Sequence, residues 1–137
     1  MQRAWKNPWH WTLMFALFAL CAGCGRSDGP QRYDLSGSVT YAGQPVPAGM
    51  IVFAPDHEAG NEGPGTVVEF TDGRYRTPRG RGTVGGPHVV RIIGYSGEPE
   101  GGDDSTGVRP LFEEYETRVD LPHRNASHDF EIPAEHR

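Results

Sequence analysis

From Leu35 onward the apolar residues recur at every second position in short stretches, and Gly, Pro and Asp-Gly interrupt them before a helical period can build up. Leu35, Gly37, Val39 and Tyr41 alternate with Ser36, Ser38 and Thr40, which predicts a half-buried strand over 35–41. A turn at 42–45 leads to a short apolar strand at 50–54, Met-Ile-Val-Phe-Ala, which Pro55 stops. After a polar, Gly-rich loop (56–65), a third strand covers 66–70. Asp72-Gly73 supplies the positive φ that a tight hairpin needs, and 74–76 is the return strand with Tyr75 facing inward. The segment 88–95 is rich in β-branched residues and reads as the strongest strand. A long loop is expected over 96–110, one helical turn at most over 111–115, and two further alternating strands at 117–121 and 129–132.

Seven short strands with turn signals every eight to twelve residues imply an all-β domain, a two-sheet β-sandwich, with a barrel as the alternative. Its core is expected to hold Leu35, Val39, Tyr41, Ile51, Phe53, Val68, Phe70, Tyr75, Val90, Ile92, Val119, Leu121, Phe130 and Ile132. The domain spans 34–133 and 134–137 is a C-terminal tail.

The N-terminus has a different character. Arg3 and Lys6 precede an uncharged apolar run over 12–22, and small residues follow it. That is the three-part pattern of an export signal. The run is about half of the roughly 20 apolar residues that a spanning helix requires. Ala22-Gly23-Cys24 resembles the lipobox of bacterial lipoproteins, with Cys21 standing where Leu is usual. The resemblance implies a signal peptide over 1–23, cleavage between Gly23 and Cys24, and lipidation of Cys24. Residues 24–33 then form a lipidated tether, with two or three acyl chains holding the protein on a membrane. Gly25 after the Cys favours the outer membrane or cell surface over retention at the inner membrane.

Charge restricts the partners. After Cys24 there are eleven Arg, no Lys and eighteen Asp or Glu, a net of −7. An acidic domain of this kind repels phosphate backbones, which argues against nucleic acid. The search for chemistry finds little. His57 lies between Asp56 and Glu58, and His123 and His128 are five apart, but no spacing matches a metal-ligand pattern. No nucleophile elbow is present, and the Gly-rich 80–86 segment precedes a strand, unlike a phosphate loop. Asn125-Ala126-Ser127 fits a glycosylation sequon but reads as a turn. Glu98, Glu100, Asp103 and Asp104 crowd one polar loop and would bind Ca²⁺ weakly if at all. Neither a catalytic residue nor a cofactor is expected.

The stretch LSGSVTYAGQPVPAGMIVFAP over 35–55 resembles the opening of carboxypeptidase regulatory-like (transthyretin-like) domains: a strand, a G-x-P-V turn and a second apolar strand ending F-x-P. Asp72-Gly73-Arg74-Tyr75 is similar to that family's hairpin, and 86–92 to its next strand. Small lipoproteins of planctomycete-type bacteria are similar over nearly the whole of the chain after Cys24. The resemblance implies a non-enzymatic envelope module whose partner is the membrane, through the lipid, and an unidentified envelope protein or polysaccharide. A carbohydrate- or peptide-binding surface would be favoured by solvent-facing aromatics, for which Tyr33, Phe112 and Tyr115 are the candidates.

Overall fold

The computed structural model describes residues 29–99 and 108–136; for Glu98, Pro99 and Val108 only the backbone is described. The expected signal, Gly23, Cys24 and most of the tether lie outside these residues, as do Glu100, Asp103 and Asp104. The domain is all-β. Ten strands follow in chain order: β1 Leu35–Tyr41, β2 Gln44–Pro45, β3 Ala48–Pro55, β4 Thr66–Thr71, β5 Arg74–Arg76, β6 Gly86–Pro99, β7 Val108–Pro110, β8 Tyr115–Leu121, β9 Ala126–Ser127 and β10 Phe130–Ile132. Among the described residues one 3-10 turn, His57–Ala59, is capped by the Asp56 carboxylate, which accepts from the Glu58 and Ala59 amides.

The strands join one hydrogen-bonded path, β10-β1-β5-β4-β3-β6-β7, with β2 and β9 added on β1 and β8 on β6. Pairing is antiparallel except where β9 and β10 run parallel to β1. The sheet is curled. Phe53 on β3 and Phe130 on β10 are four strands apart, about 19 Å in a flat sheet, yet their ring centroids are 6.1 Å apart. Tyr75 on β5 packs between them, at 5.9 Å from Phe53 and 6.0 Å from Phe130. At the other end Tyr41 of β1 meets Phe112, just past β7, at 5.1 Å.

Alternation decides which side chains enter the core. Along β4 the pattern is strictly buried–exposed, with Thr66, Val68 and Phe70 inward. On β3 and β6 the inward set is Ile51, Phe53, Val90 and Ile92, all fully buried and paired Ile51 with Ile92 and Phe53 with Val90. Gly49 and Gly94 lie opposite one another on the same inward face. A Cβ on Gly49 would strike the Phe70 ring, and one on Gly94 the Phe112 ring, so this glycine pair makes the space both rings fill.

Several expectations need correction. The fifth expected strand is longer: β6 runs to Pro99 and β7 returns against it, so 96–110 is in part a strand pair. Residues 111–113 are bends with no helical turn, because Tyr115 already starts β8 against Ile92. Ala126 and Ser127, read as a turn, pair with Leu35 and Ser36 as β9. In the core, Tyr41 and Val119 are only half-buried, while Val46 and Phe112 are buried. Val46 is held there by its backbone, which donates to Val39 O and accepts from Gly73 N. Phe112 is drawn in by the space over Gly94.

Val90 tests this arrangement most simply. Val90→Asp places an unpaired charge against Phe53 and should cost several kcal/mol. Urea denaturation followed by circular dichroism should show loss of the folded baseline at room temperature; a midpoint equal to that of the unsubstituted protein would place Val90 on the outer face.

Candidate functional site

The outer face of β1 and β5 carries what the inner face excludes. Ser36 lies opposite Arg76 and Ser38 opposite Arg74 in the antiparallel register, so two hydroxyls and two guanidinium groups share one surface. Two adjoining clefts run over this surface and share Ser36 and Arg76. The first, about 580 Å³, extends past Ser38 and Thr40 to Pro45 and is bordered by Asp129 and Ser127. The second, about 640 Å³, extends past Arg79 and Asn125 to Pro78.

The groove wall exists because β1 changes partners halfway. Its first residues pair with β9 and its last with β10. Between them His128 bends toward β1, and its carbonyl comes so close to Gly37 that any Cβ there would collide with it. The Tyr75 hydroxyl donates to the same carbonyl at 2.7 Å. Ser38 N–H, left without a ladder partner at this point, donates to the Asp129 carboxylate at 2.7 Å, and the Ser38 hydroxyl adds a bond of 2.9 Å. These two bonds, with smaller help from His128 and Arg74, hold the Asp129 carboxyl below the usual carboxylate range.

The second cleft is built in the same way. Thr77 is buried, and its hydroxyl accepts from Leu35 N at 2.9 Å, fixing the exit of β5. Asp34 accepts from Gly80 N at 2.7 Å and so orders the 78–81 turn, while its own N–H donates to Asn125 Oδ1 at 2.9 Å. Asp129 and Asp34 are therefore committed to backbone amides, while Asp72, the third carboxylate lining the groove, is exposed. Arg76 and Arg79 are exposed, and neither has a hydrogen bond or ion pair among the described residues. The groove offers hydroxyls, guanidinium groups, an amide and the carboxylates of Asp34, Asp72 and Asp129, with no imidazole or thiol lining it. That inventory can bind an oxygen-rich, negatively charged ligand; in its one hydroxyl–carboxylate pair, Ser38 with Asp129, the carboxylate is also held by the Ser38 amide and its lowered pKa makes it a weak base.

The residues singled out from sequence are scattered. His57 is exposed in the 3-10 turn. His123 stacks on Tyr33 at 5.9 Å, and the His128 ring packs on Phe130 at 4.7 Å. Tyr33 and Tyr115 are half-buried and Phe112 is in the core, so the three do not form a solvent-facing row. Among the described residues no group of three or more His, Cys, Asp or Glu could hold a metal. The Glu98 side chain belongs to the part of the chain that is not described. His88, not singled out, is buried with Nδ1 2.8 Å from Gly86 O and with no partner for Nε2 among the described residues; burial lowers its pKa. The arginines were visible as a run: four of the eleven after Cys24 fall between Arg74 and Arg81.

Tyr75 links the groove to pH. Burial, and secondarily the Asp129 charge, push its hydroxyl well above the ordinary value of about 10. The unfolded chain thus loses this proton first, so the contribution to stability is present below about pH 10 and fades as pH rises above it. Tyr75→Phe should cost about 1 kcal/mol at pH 8 through the lost bond to His128 O. It should also flatten the alkaline fall in stability. Urea titrations at pH 8 and pH 11 check this; an alkaline slope unchanged in the variant would contradict it.

Comparison of the chain with family models, with curated proteins and with solved structures finds no match.

Proposed function

We propose that the protein is an exported lipoprotein, anchored at Cys24 in the cell envelope, on the outer membrane or cell surface, whose β-domain is a non-catalytic binding module. The observation that carries the anchor is the order of features at the N-terminus: Arg3 and Lys6, an uncharged run over 12–22, then Ala22-Gly23-Cys24. Among the described residues no helix is long and apolar enough to cross a membrane. A lipid on Cys24 would be nine residues from Tyr33, where the backbone first pairs with the domain, at Thr83. An extended tether of that length reaches up to about 30 Å, enough to present the domain clear of the headgroups.

The module reading is supported by what borders the groove. Asp129 and Asp34 accept from backbone amides, Arg74, Arg76 and Arg79 are exposed, and the one hydroxyl paired with a carboxylate, Ser38, faces an Asp129 of lowered pKa and so a weak base. For the fold, the finer reading is a transthyretin-like β-sandwich. It rests on the resemblance over 35–55 and on the curl that folds the two halves of the sheet over a shared aromatic core.

Metabolic labelling with a fatty-acid probe tests the anchor. The unsubstituted protein should take up label and fractionate with membranes, and Cys24→Ser should do neither. Equal labelling of the two would rule out Cys24 as the lipid site.

A further inference from the structure

We infer that the groove over β1 and β5 binds an acidic polysaccharide, gripping its carboxylate or sulfate groups through Arg76 and Arg79. This deepens the binding-module reading by naming the class of partner.

The argument begins with charge. The chain after Cys24 is net −7, yet Arg74, Arg76, Arg79 and Arg81 are all exposed within eight residues. Elsewhere on the surface Arg91 and Arg118 are matched, while Arg124 stands alone with no second arginine beside it in the sequence. Arg91 meets Glu116 at 2.8 Å, and Arg118 meets Glu58 at 2.8 Å and Asp56 at 3.4 Å. At the groove Asp129 and Asp34 are turned to Ser38 N and Gly80 N, and Asp72, which lines the first cleft, makes no ion pair with Arg76, so the Arg76 and Arg79 forks are left for an outside anion. A guanidinium presents paired N–H groups that match carboxylate and sulfate oxygens.

Shape and chemistry select a sugar polymer. The two clefts share Ser36 and Arg76, so one extended ligand can occupy both. Ser36 and Ser127 add hydroxyls that both donate and accept, as sugar hydroxyls require, and the Ser38 hydroxyl, which donates to Asp129, can still accept. Pro45 and Pro78 stand at opposite ends as apolar faces for C–H surfaces. A peptide adding to the sheet would need a free strand edge, and the groove lies over β1 and β5, which are paired with each other. A bilayer surface is flat and would meet the rim of the groove, leaving its floor empty. Contacts with exposed arginines are individually weak, and repetition along a polymer multiplies them.

The test uses the full chain in neutral detergent micelles, titrated with fluorescent polygalacturonate, dextran sulfate and neutral dextran of matched length. At least one acidic polymer should bind, with affinity falling as salt rises, and neutral dextran should not. Arg76→Ala with Arg79→Ala should weaken binding at least tenfold while leaving the circular dichroism spectrum unchanged. Arg91→Ala with Arg118→Ala, the same change in net charge on another face, should leave binding within twofold. Equal loss in both double variants would show diffuse charge attraction and overturn the proposal, as would equal binding of neutral dextran or no binding of either acidic polymer. If the Arg76 and Arg79 Nε–H resonances shift on adding phosphatidylglycerol to the micelles and not on adding polymer, the partner is a lipid headgroup and the proposal is likewise overturned. None of these outcomes depends on acylation of Cys24, so an anchored protein that ignores both polymers would overturn this inference alone.

Discussion

The structure depends on strand β1 being paired on both sides. Its first half lies between β5 and β9 and its second between β2 and β10, so one seven-residue strand at the start of the described domain is joined to the strands at its end. The changeover occurs at Gly37, where the His128 carbonyl approaches too closely for any side chain and the Tyr75 hydroxyl holds that carbonyl in place. Without this contact β9 and β10 would have no template. Phe130 and Ile132, both buried, would then leave the core, exposing the Phe53–Tyr75–Phe130 cluster that the curl encloses.

The groove is a by-product of the same changeover. Where β1 passes from β9 to β10 its ladder skips Ser38, and Asp129 fills the gap with a carboxylate. The Asp129 carboxylate is held by the Ser38 amide and hydroxyl and makes no direct ion pair with Arg74 or Arg76, so both guanidinium groups stay exposed on the outer face of β5. Burial inside, with Tyr75 between two arginines on a three-residue strand, and charge outside are thus consequences of one alternation.

Much of the fold was legible because period two survives in the longer strands. The expected bounds of β1 and β5 agree with those observed, and β3, β4 and β8 differ by one or two residues at an end. What was illegible has identifiable causes. Two-residue strands such as β9 carry no period at all. Val46 sits between two prolines and is buried because its backbone bonds to Val39 and Gly73, a fact of tertiary position. Phe112 looks like a loop aromatic, and its burial depends on Gly94, eighteen residues earlier and across the strand pair. The site was harder still. The run Arg-Tyr-Arg-Thr-Pro-Arg-Gly-Arg could be read directly, but nothing in one dimension says that Ser36, Ser127 and Asn125 stand beside it.

Amide hydrogen exchange on the full chain tests the central claim, that pairing on both sides of β1 closes the domain into one cooperative unit. Ala126 N–H bonds to Asp34 O and His128 N–H to Ser36 O, so both report on the closure directly. If β1 is the closing strand, these amides should exchange within about tenfold of those of Ile51 and Ile92 in the β3–β6 pair, all by global unfolding. Exchange of Ala126 and His128 faster by several orders of magnitude, with Ile51 and Ile92 still protected, would show that the C-terminal strands open independently and would contradict the account.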